Sequence, residues 1–574
     1  MINLIKLRIS GSINSLSVII LLVFMLGGAM DCAGAFIGGA AALGFAVFHV
    51  YKKRKFQISL DLSTVIIILI TLAYLIGVIY AVDKGMALLG FFRIFAVLCF
   101  IFLIWQQHDK NDKNDKNDKN NGAAINIWNI VPIIGSLSVI VAVCGIGLSF
   151  FTHSLPFFND GRLGGFMGYA NTYALWLLLG LVILSFEEKP DKLSWIMFAV
   201  NICGIFLTVS RSMFILTAAA LILLFLIRKN SRKMILIMSA PGVLSGFLLN
   251  IIIGAGNFGR LAETPGQAGE WLSRMIYYFD AVPQILKHPF GMGYMGYWYT
   301  QPMWQTAFYE TRFVHSSIIQ FALDIGILPA VVIAGLGIYM ILSKKTNIME
   351  KIILALIFGH SLIDIDLEFL VLLFLICLII KPGRIKSISP NVPAIILAVF
   401  IPVFIWIGAA SWDAERGGGA LAVRLYPGYT DALEKQLIYA PSLDEAAVYA
   451  RRILERNIYN FIAIDTLSRI CYRDGDYELA AILKLKSLEI NRMFAEDYLE
   501  LLKICAAGYE IELAGNNKQR AEYYRQIILS IPERIAYVKE GLSGDAYRLK
   551  HTPGLELPDK AAEYIENLRL IGVN

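Results

Sequence analysis

The sequence predicts an all-α polytopic membrane protein, with about 12–13 transmembrane helices followed by a soluble helical tail. Three observations predict it. The 574 residues are 57% hydrophobic and only 17% charged, far more apolar than a soluble domain requires. The apolar residues are bunched: 60–82, 125–150 and 234–253 are each nearly charge-free and long enough to cross hydrocarbon about 30 Å thick. Beyond residue 410 the composition turns to that of an ordinary soluble helical protein.

In chain order, spans are expected at 14–30, 33–50, 62–82, 86–106, 126–150, 169–186, 193–209, 213–228, 234–253, 317–343, 350–366, 368–381 and 393–410. The last pair before 393 is short enough to be one broken unit. Met1 to Ser12 carries Lys6 and Arg8 and runs into the first span, which reads as a signal anchor. Lysine and arginine then alternate between loops. One set carries Lys6 and Arg8, Lys52 to Lys55, four lysines between 110 and 119, Lys189 and Lys192, Arg228 to Lys233, Lys344, Lys345 and Lys351, and Lys381 to Lys386. The other short loops carry only Lys84, Arg162 and Arg211. The positive-inside rule then puts the N-terminus in the cytoplasm, and the large loop 254–316 and the tail outside, in a cytoplasmic (inner) membrane. An even number of spans would move the tail to the other side.

The net charge of +6 is spent on this loop asymmetry and is no nucleic-acid footprint. The seven cysteines show no CxxC and no metal-ligand spacing, and read as packing residues. Asp109 to Asn120 repeats Asp-Lys-Asn with balanced charge and nothing apolar, a disordered loop without chemistry.

The chain divides into a transmembrane part, 1–410, a linker, 411–440, and a helical tail, 441–574. Gly417-Gly418-Gly419 reads as a flexible joint. Phe461 to Asn491 has the spacing of a tetratricopeptide-like hairpin: Leu467 and Cys471 on one face, a turn at Gly475-Asp476-Tyr477, then Ala480, Leu483 and Leu488. A plain helical bundle fits nearly as well.

Candidate chemistry gathers on the outer face. Arg162, Arg211 and Arg274 stand at span ends. Arg211, in Thr208-Val209-Ser210-Arg211-Ser212, joins two spans with almost no loop, at the depth where a guanidinium grips phosphate bidentately. The bland alternative is an arginine snorkelling to lipid. The loop 254–314 carries Trp271, Tyr277, Tyr278, His288, Tyr294, Tyr297, Trp298, Trp304 and Tyr309. Such aromatics suit sugar rings, or merely seat the loop at the interface. His315 then heads a polar stripe of Ser316, Gln320 and Asp324; an imidazole there is a candidate base. His360, Asp364, Asp366 and Glu368 form a second polar set, read as structural hydrogen bonding in preference to a divalent-cation site.

Together these residues resemble the O-antigen ligase and O-antigen polymerase superfamily. The resemblance rests on Gly161-Arg162-Leu163-Gly164-Gly165-Phe166 with Asn171, on Ser210-Arg211, on Arg274 through His288-Pro289 to Gly291-x-Gly293, and on His315-Ser316 followed by Gly326. It covers about residues 160–330. Two positions depart from the pattern, Ile215 in place of leucine and Pro329 in place of a small or polar residue. The resemblance implies a membrane glycosyltransferase of the C type that needs no metal or cofactor. Its donor is a glycan on polyprenyl pyrophosphate, and its acceptor a glycan, lipid or protein. Arg211 and Arg274 would hold the pyrophosphate and His315 would assist the acceptor. Arg162, Asn171, His288, Tyr294 and Gln320 would complete substrate binding, and the tail would take a protein partner. Competing expectations are a glycan polymerase or protein O-oligosaccharyltransferase, a lipid-linked glycan transporter, and a non-catalytic scaffold.

Overall fold

The computed structural model describes residues 14–107, 127–152, 156–253 and 269–570. The signal-anchor stretch 1–12, the Asp-Lys-Asn repeat and the first part of the large loop lie outside these residues.

The protein is an all-α polytopic membrane protein. Among the described residues, six helices are long and apolar enough to cross a membrane: Cys32–Lys53, Leu62–Tyr80, Lys84–Gln107, Ile127–Gly147, Lys229–Ile252 and Asn391–Arg416. Shorter apolar helices stand among them: Ser15–Met25, Ala170–Ser185, Lys192–Leu207, Arg211–Ile227, Ile327–Leu342 and Leu370–Ile379. The helix Ala170–Ser185 is buried along nearly its whole length. It is therefore central to the bundle, whereas Leu62–Tyr80 turns Leu69, Ile76 and Ile79 outward, where lipid would meet them. Ser194 and Thr64 show how helix starts are fixed: each backbone N–H donates to an N-cap aspartate, Asp191 and Asp61.

Contacts between chain turns place the basic clusters together at one end. Arg228 donates to the carbonyls of Ser185 and Phe186. The strand Phe56–Ile58, beside Lys52 to Lys55, pairs antiparallel with Lys386–Ile388. Lys381 reaches Glu350. The turns at 158–170, 208–211 and 361–369 fall at the opposite end, and so does the tail, which touches the large loop.

Every expected span meets a helix, but 317–343 is not one span. It is broken into Ser317–Ile325 and Ile327–Leu342. Gly326 sits at φ 96°, and a Cβ there would lie 2.4 Å from the Pro289 carbonyl oxygen. The break exposes carbonyls that the His288–Gly293 loop then uses. Met292 N–H donates to Leu323 O at 2.7 Å, Gly293 N–H to Asp324 O at 2.9 Å, and Ile327 N–H to Pro289 O at 3.1 Å. Gly291, at φ 88°, brings its Cα so close that a Cβ would be 2.4 Å from Asp324 O. The His-Pro-x-Gly-x-Gly segment is thus a backbone splice, and only glycine permits the approach.

Residues 411–440 are not an extended linker. The last membrane helix runs on to Arg416, and Ala420–Leu425 and Thr430–Ile438 follow as helices. The glycine joint is held: Ala422 N–H donates to Asp413 at 2.9 Å, and Gln436 to Gly418 O at 2.7 Å. One continuous apolar core extends from the membrane helices through Ala422, Leu433 and Ile453 to Ala463. A second core, around Ala480, Leu501, Cys505, Ile528 and Ile531, belongs to the tail alone. Between the two cores Phe461–Arg473 and Tyr477–Ile490 form an antiparallel hairpin, turned at Gly475 and closed where Ser468 Oγ donates to Ala480 O at 2.7 Å.

Candidate active site

A cavity of ≈ 560 Å³ opens at the end of the bundle away from the basic clusters. Its walls come from four places in the sequence. The segment before Ala170–Ser185 gives Arg162 and Tyr169 and the first turn of that helix gives Asn171, while the start of Arg211–Ile227 gives Arg211. The large loop gives Glu270, Ser273, Arg274, Tyr277, Phe308, Tyr309, Glu310 and His315. The tail gives Arg548, Leu549, Lys550 and His551.

Asp364 is the buried hub beneath it. Its side chain has no solvent exposure, and it sits in the turn between Ile348–Ser361 and the Asp366–Glu368 turn. Arg274 Nη2 approaches Asp364 Oδ2 at 3.1 Å, and its Nη1 donates to the Ile363 carbonyl. Asn171 Nδ2 donates to Oδ2 at 2.7 Å, and the Tyr169 hydroxyl to Oδ1 at 2.7 Å. His315 Nδ1 lies 3.6 Å from Oδ1. Burial alone would raise the Asp364 carboxyl. The Arg274 guanidinium and the neighbouring His315 and His360 outweigh burial and hold it well below the usual carboxylate range. Arg162 joins the same network, donating from Nη2 to Asn171 at 2.7 Å and from Nε to Thr208 O at 3.0 Å.

His315 is held in a costly conformation. Its φ is 53°, a left-handed value unusual for a residue with a Cβ. Its flanks are pinned. The Tyr278 hydroxyl donates to His315 O at 2.7 Å, and Val314 N–H donates to Gln320 Oε1 at 3.0 Å. Burial pushes the Tyr278 hydroxyl up to about 12, so it stays a donor. Tyr277 stacks on the imidazole, with centroids 6.0 Å apart. Strain of order 1–3 kcal/mol persists only where surroundings over-determine it, a pattern that clusters at functional sites. Val209, at φ 49°, has the same strain two residues before Arg211.

The cavity gathers Arg162, Asn171, Arg211, Arg274 and His315. It does not gather His288, Tyr294 or Gln320. His288 is exposed at the end of Gly269–Lys287, and its carbonyl only closes the glycine turn to Gly291. Tyr294 is buried beneath the Arg93 guanidinium, 5.5 Å from its ring centre. Gln320 is buried and spends its amide on Val314 and Asp324, so it positions the His315 backbone. Sequence reasoning missed Asp364 as hub, Tyr169, and the whole tail wall. His360 and Asp366 do form a buried pair, at 2.6 Å, and Arg93 meets Glu368 at 2.6 Å. Structural hydrogen bonding therefore accounts for these members of the second polar set.

The apolar and aromatic side chains of the large loop divide between its outer surface and the cavity wall. Gly269–Lys287 turns Trp271, Phe279 and Leu286 outward, while Tyr277 and Tyr309 face each other in the cavity wall, centroids 4.4 Å apart. Asp280 ties the wall together, accepting from Thr306 N–H at 3.0 Å and the Tyr309 hydroxyl at 3.1 Å.

Residues 196–334 match the family described as O-antigen ligase. The chain carries an O-antigen ligase domain. That match, over about a quarter of the chain, supports the O-antigen ligase and polymerase superfamily, whose members are glycan ligases and polymerases. No curated protein and no solved structure matches the chain. The matched segment contains Arg211, Arg274 and His315. Arg162, Asn171, Asp364 and the tail wall lie outside it.

Proposed function

We propose that this cavity transfers a glycan from a polyprenyl-pyrophosphate donor to an acceptor at the outer face of the cytoplasmic membrane. The carrying observation is that Arg162, Arg211, Arg274 and His315 line one cavity, three of them tied to a single buried carboxylate. Arg211 and Arg274 bind the pyrophosphate, whose departure as an anion needs fixed positive charge on its oxygens. Arg274 is preorganised by Asp364, and a guanidinium with five N–H donors keeps others for the ligand. His315 accepts the proton of the acceptor hydroxyl through Nε2. Asp364 on the Nδ1 side selects that tautomer and stabilises the imidazolium that forms. The apo separation of 3.6 Å is longer than a hydrogen bond, and contacts of this kind tighten when substrate binds. Orientation follows from the basic ends of the bundle facing the cytoplasm. The tail then shares the outer side with the cavity, as its contacts with the large loop require.

The test is glycan transfer by purified protein in detergent with a synthetic lipid-pyrophosphate donor. His315→Ala is expected to lower the rate tenfold or more while leaving donor binding within about twofold. Wild-type turnover by His315→Ala rejects the base assignment. Orientation is tested separately. In a background lacking the native cysteines, Lys560→Cys is expected to react with an impermeant thiol reagent in intact cells and Lys344→Cys is not. The reverse pattern overturns the orientation.

A further inference from the structure

The tail reaches the cavity by specific contacts. Ser543 N–H donates to Thr306 O at 2.7 Å, and Arg492 donates to Gln305 O at 3.1 Å. Ala546 and Leu549 are buried against Ile276, Ala307 and Tyr309. Phe494 meets Phe308 edge-on, with centroids 4.5 Å apart. These anchors fix residues 546–551 as a wall. Arg548 and Lys550 are thereby brought to a cavity that already holds Arg162, Arg211 and Arg274. Five cationic side chains line it against Glu270 and Glu310. Arg548 also pairs with Asp545, which holds one edge of its guanidinium in place.

Resting on the reading above, we propose that Arg548 and Lys550 form a second anion subsite that recognises an acidic sugar of the glycan substrate. The pyrophosphate is tethered to its lipid and stays at the membrane-side cations. What extends from it toward the tail is carbohydrate. A neutral sugar gains little from two cations held at the outer wall, whereas a sugar carboxylate or phosphate gains charge-assisted hydrogen bonds from both. Tyr277, Tyr309 and Phe308 share the lining with both sets of cations and offer faces for the sugar rings. The tail is then part of the substrate site and not only a docking module for a partner.

The experiment uses the full chain in detergent and titrates four probes: inorganic pyrophosphate, tetragalacturonate, maltotetraose, and maltotetraose carrying one 6-phosphate. The comparison is wild type, the double variant Arg548→Gln/Lys550→Gln, and Arg211→Lys. Wild type is expected to bind at least one acidic tetrasaccharide at least tenfold more tightly than maltotetraose. The double variant is expected to lose that preference and keep its affinity for pyrophosphate. Arg211→Lys is expected to do the opposite. Preference for tetragalacturonate identifies a carboxylate ligand, and preference for the phosphorylated sugar a phosphate ligand. Equal binding of acidic and neutral probes, or a preference that survives in the double variant, overturns the subsite. Loss of the acidic preference in the double variant, with pyrophosphate binding insensitive to Arg211→Lys, keeps the subsite and rejects the pyrophosphate assignment instead.

Discussion

Asp364 in the membrane part and Lys484 in the tail are built on one plan with opposite sign. Each is a buried charge surrounded by partners of the other sign or by hydrogen-bond donors or acceptors. Asp364 takes Arg274, Asn171, Tyr169 and His315. Lys484, 1% exposed, takes Asp465 at 2.5 Å, Asp497 at 2.8 Å and Glu500 at 2.6 Å. The difference lies in where the partners lead. Those of Asp364 line a cavity, so its charge is felt by whatever enters. Those of Lys484 converge on its ammonium, which fills the place where the three carboxylates would otherwise gather a cation, although Asp465 and Asp497 also border a cavity of ≈ 600 Å³. Opening onto a space is therefore not enough to mark a site: the partners must also keep donors for what enters, as the guanidinium of Arg274 does with its five N–H groups.

The comparison breaks most visibly at Asp364. Asp364→Asn is expected to cut glycan transfer roughly tenfold to more than a hundredfold, the loss of charge-assisted bonds of ~1.5–3 kcal/mol each. Expression and monodispersity in detergent are expected to fall less, because Asn keeps the shape. Normal transfer by Asp364→Asn makes the hub merely structural, like Lys484. The matching change, Lys484→Met, is expected to leave transfer intact. It strands three carboxylates that are 16–33% exposed, so the cost is below that of a sealed pair, roughly 2–3 kcal/mol. The tail's apparent melting temperature then falls by roughly 10 °C. Burial disfavours the ammonium, yet its carboxylates raise it above its ordinary value. Its contribution is therefore full at neutral pH and is lost only as pH rises above about 10.4. Smallest of all is His288→Ala. The ring is exposed and outside the cavity, so transfer and stability are expected to change by less than about 0.5 kcal/mol. A tenfold loss there would return His288 to the substrate site.

Much of the fold was legible. Apolar length and the alternation of Lys and Arg mark the spans because hydrocarbon permits little else. The break at Gly326 was not legible, since apolar residues continue on both sides, and only the approach of the Pro289–Gly293 backbone demands it. Arg162, Asn171, Arg211, Arg274 and His315 were readable as polar residues at span ends. Asp364 was read as a hydrogen-bonding residue but not as their hub, because Asn171 is 193 residues from it in sequence and Arg274 is 90. Arg548 and Lys550 look like ordinary surface charges of a helical tail. Nothing local shows that Leu549 packs beneath Tyr309 and turns its neighbours toward the cavity.

The central claim is that Arg211 and Arg274 form a pyrophosphate grip in one cavity with His315. Steady-state transfer by Arg211→Lys tests it most directly, because lysine preserves charge and removes the guanidinium fork. The account predicts that kcat/KM for a synthetic polyprenyl-pyrophosphate donor falls at least tenfold, with membrane insertion unchanged. Turnover and donor affinity equal to wild type would contradict it.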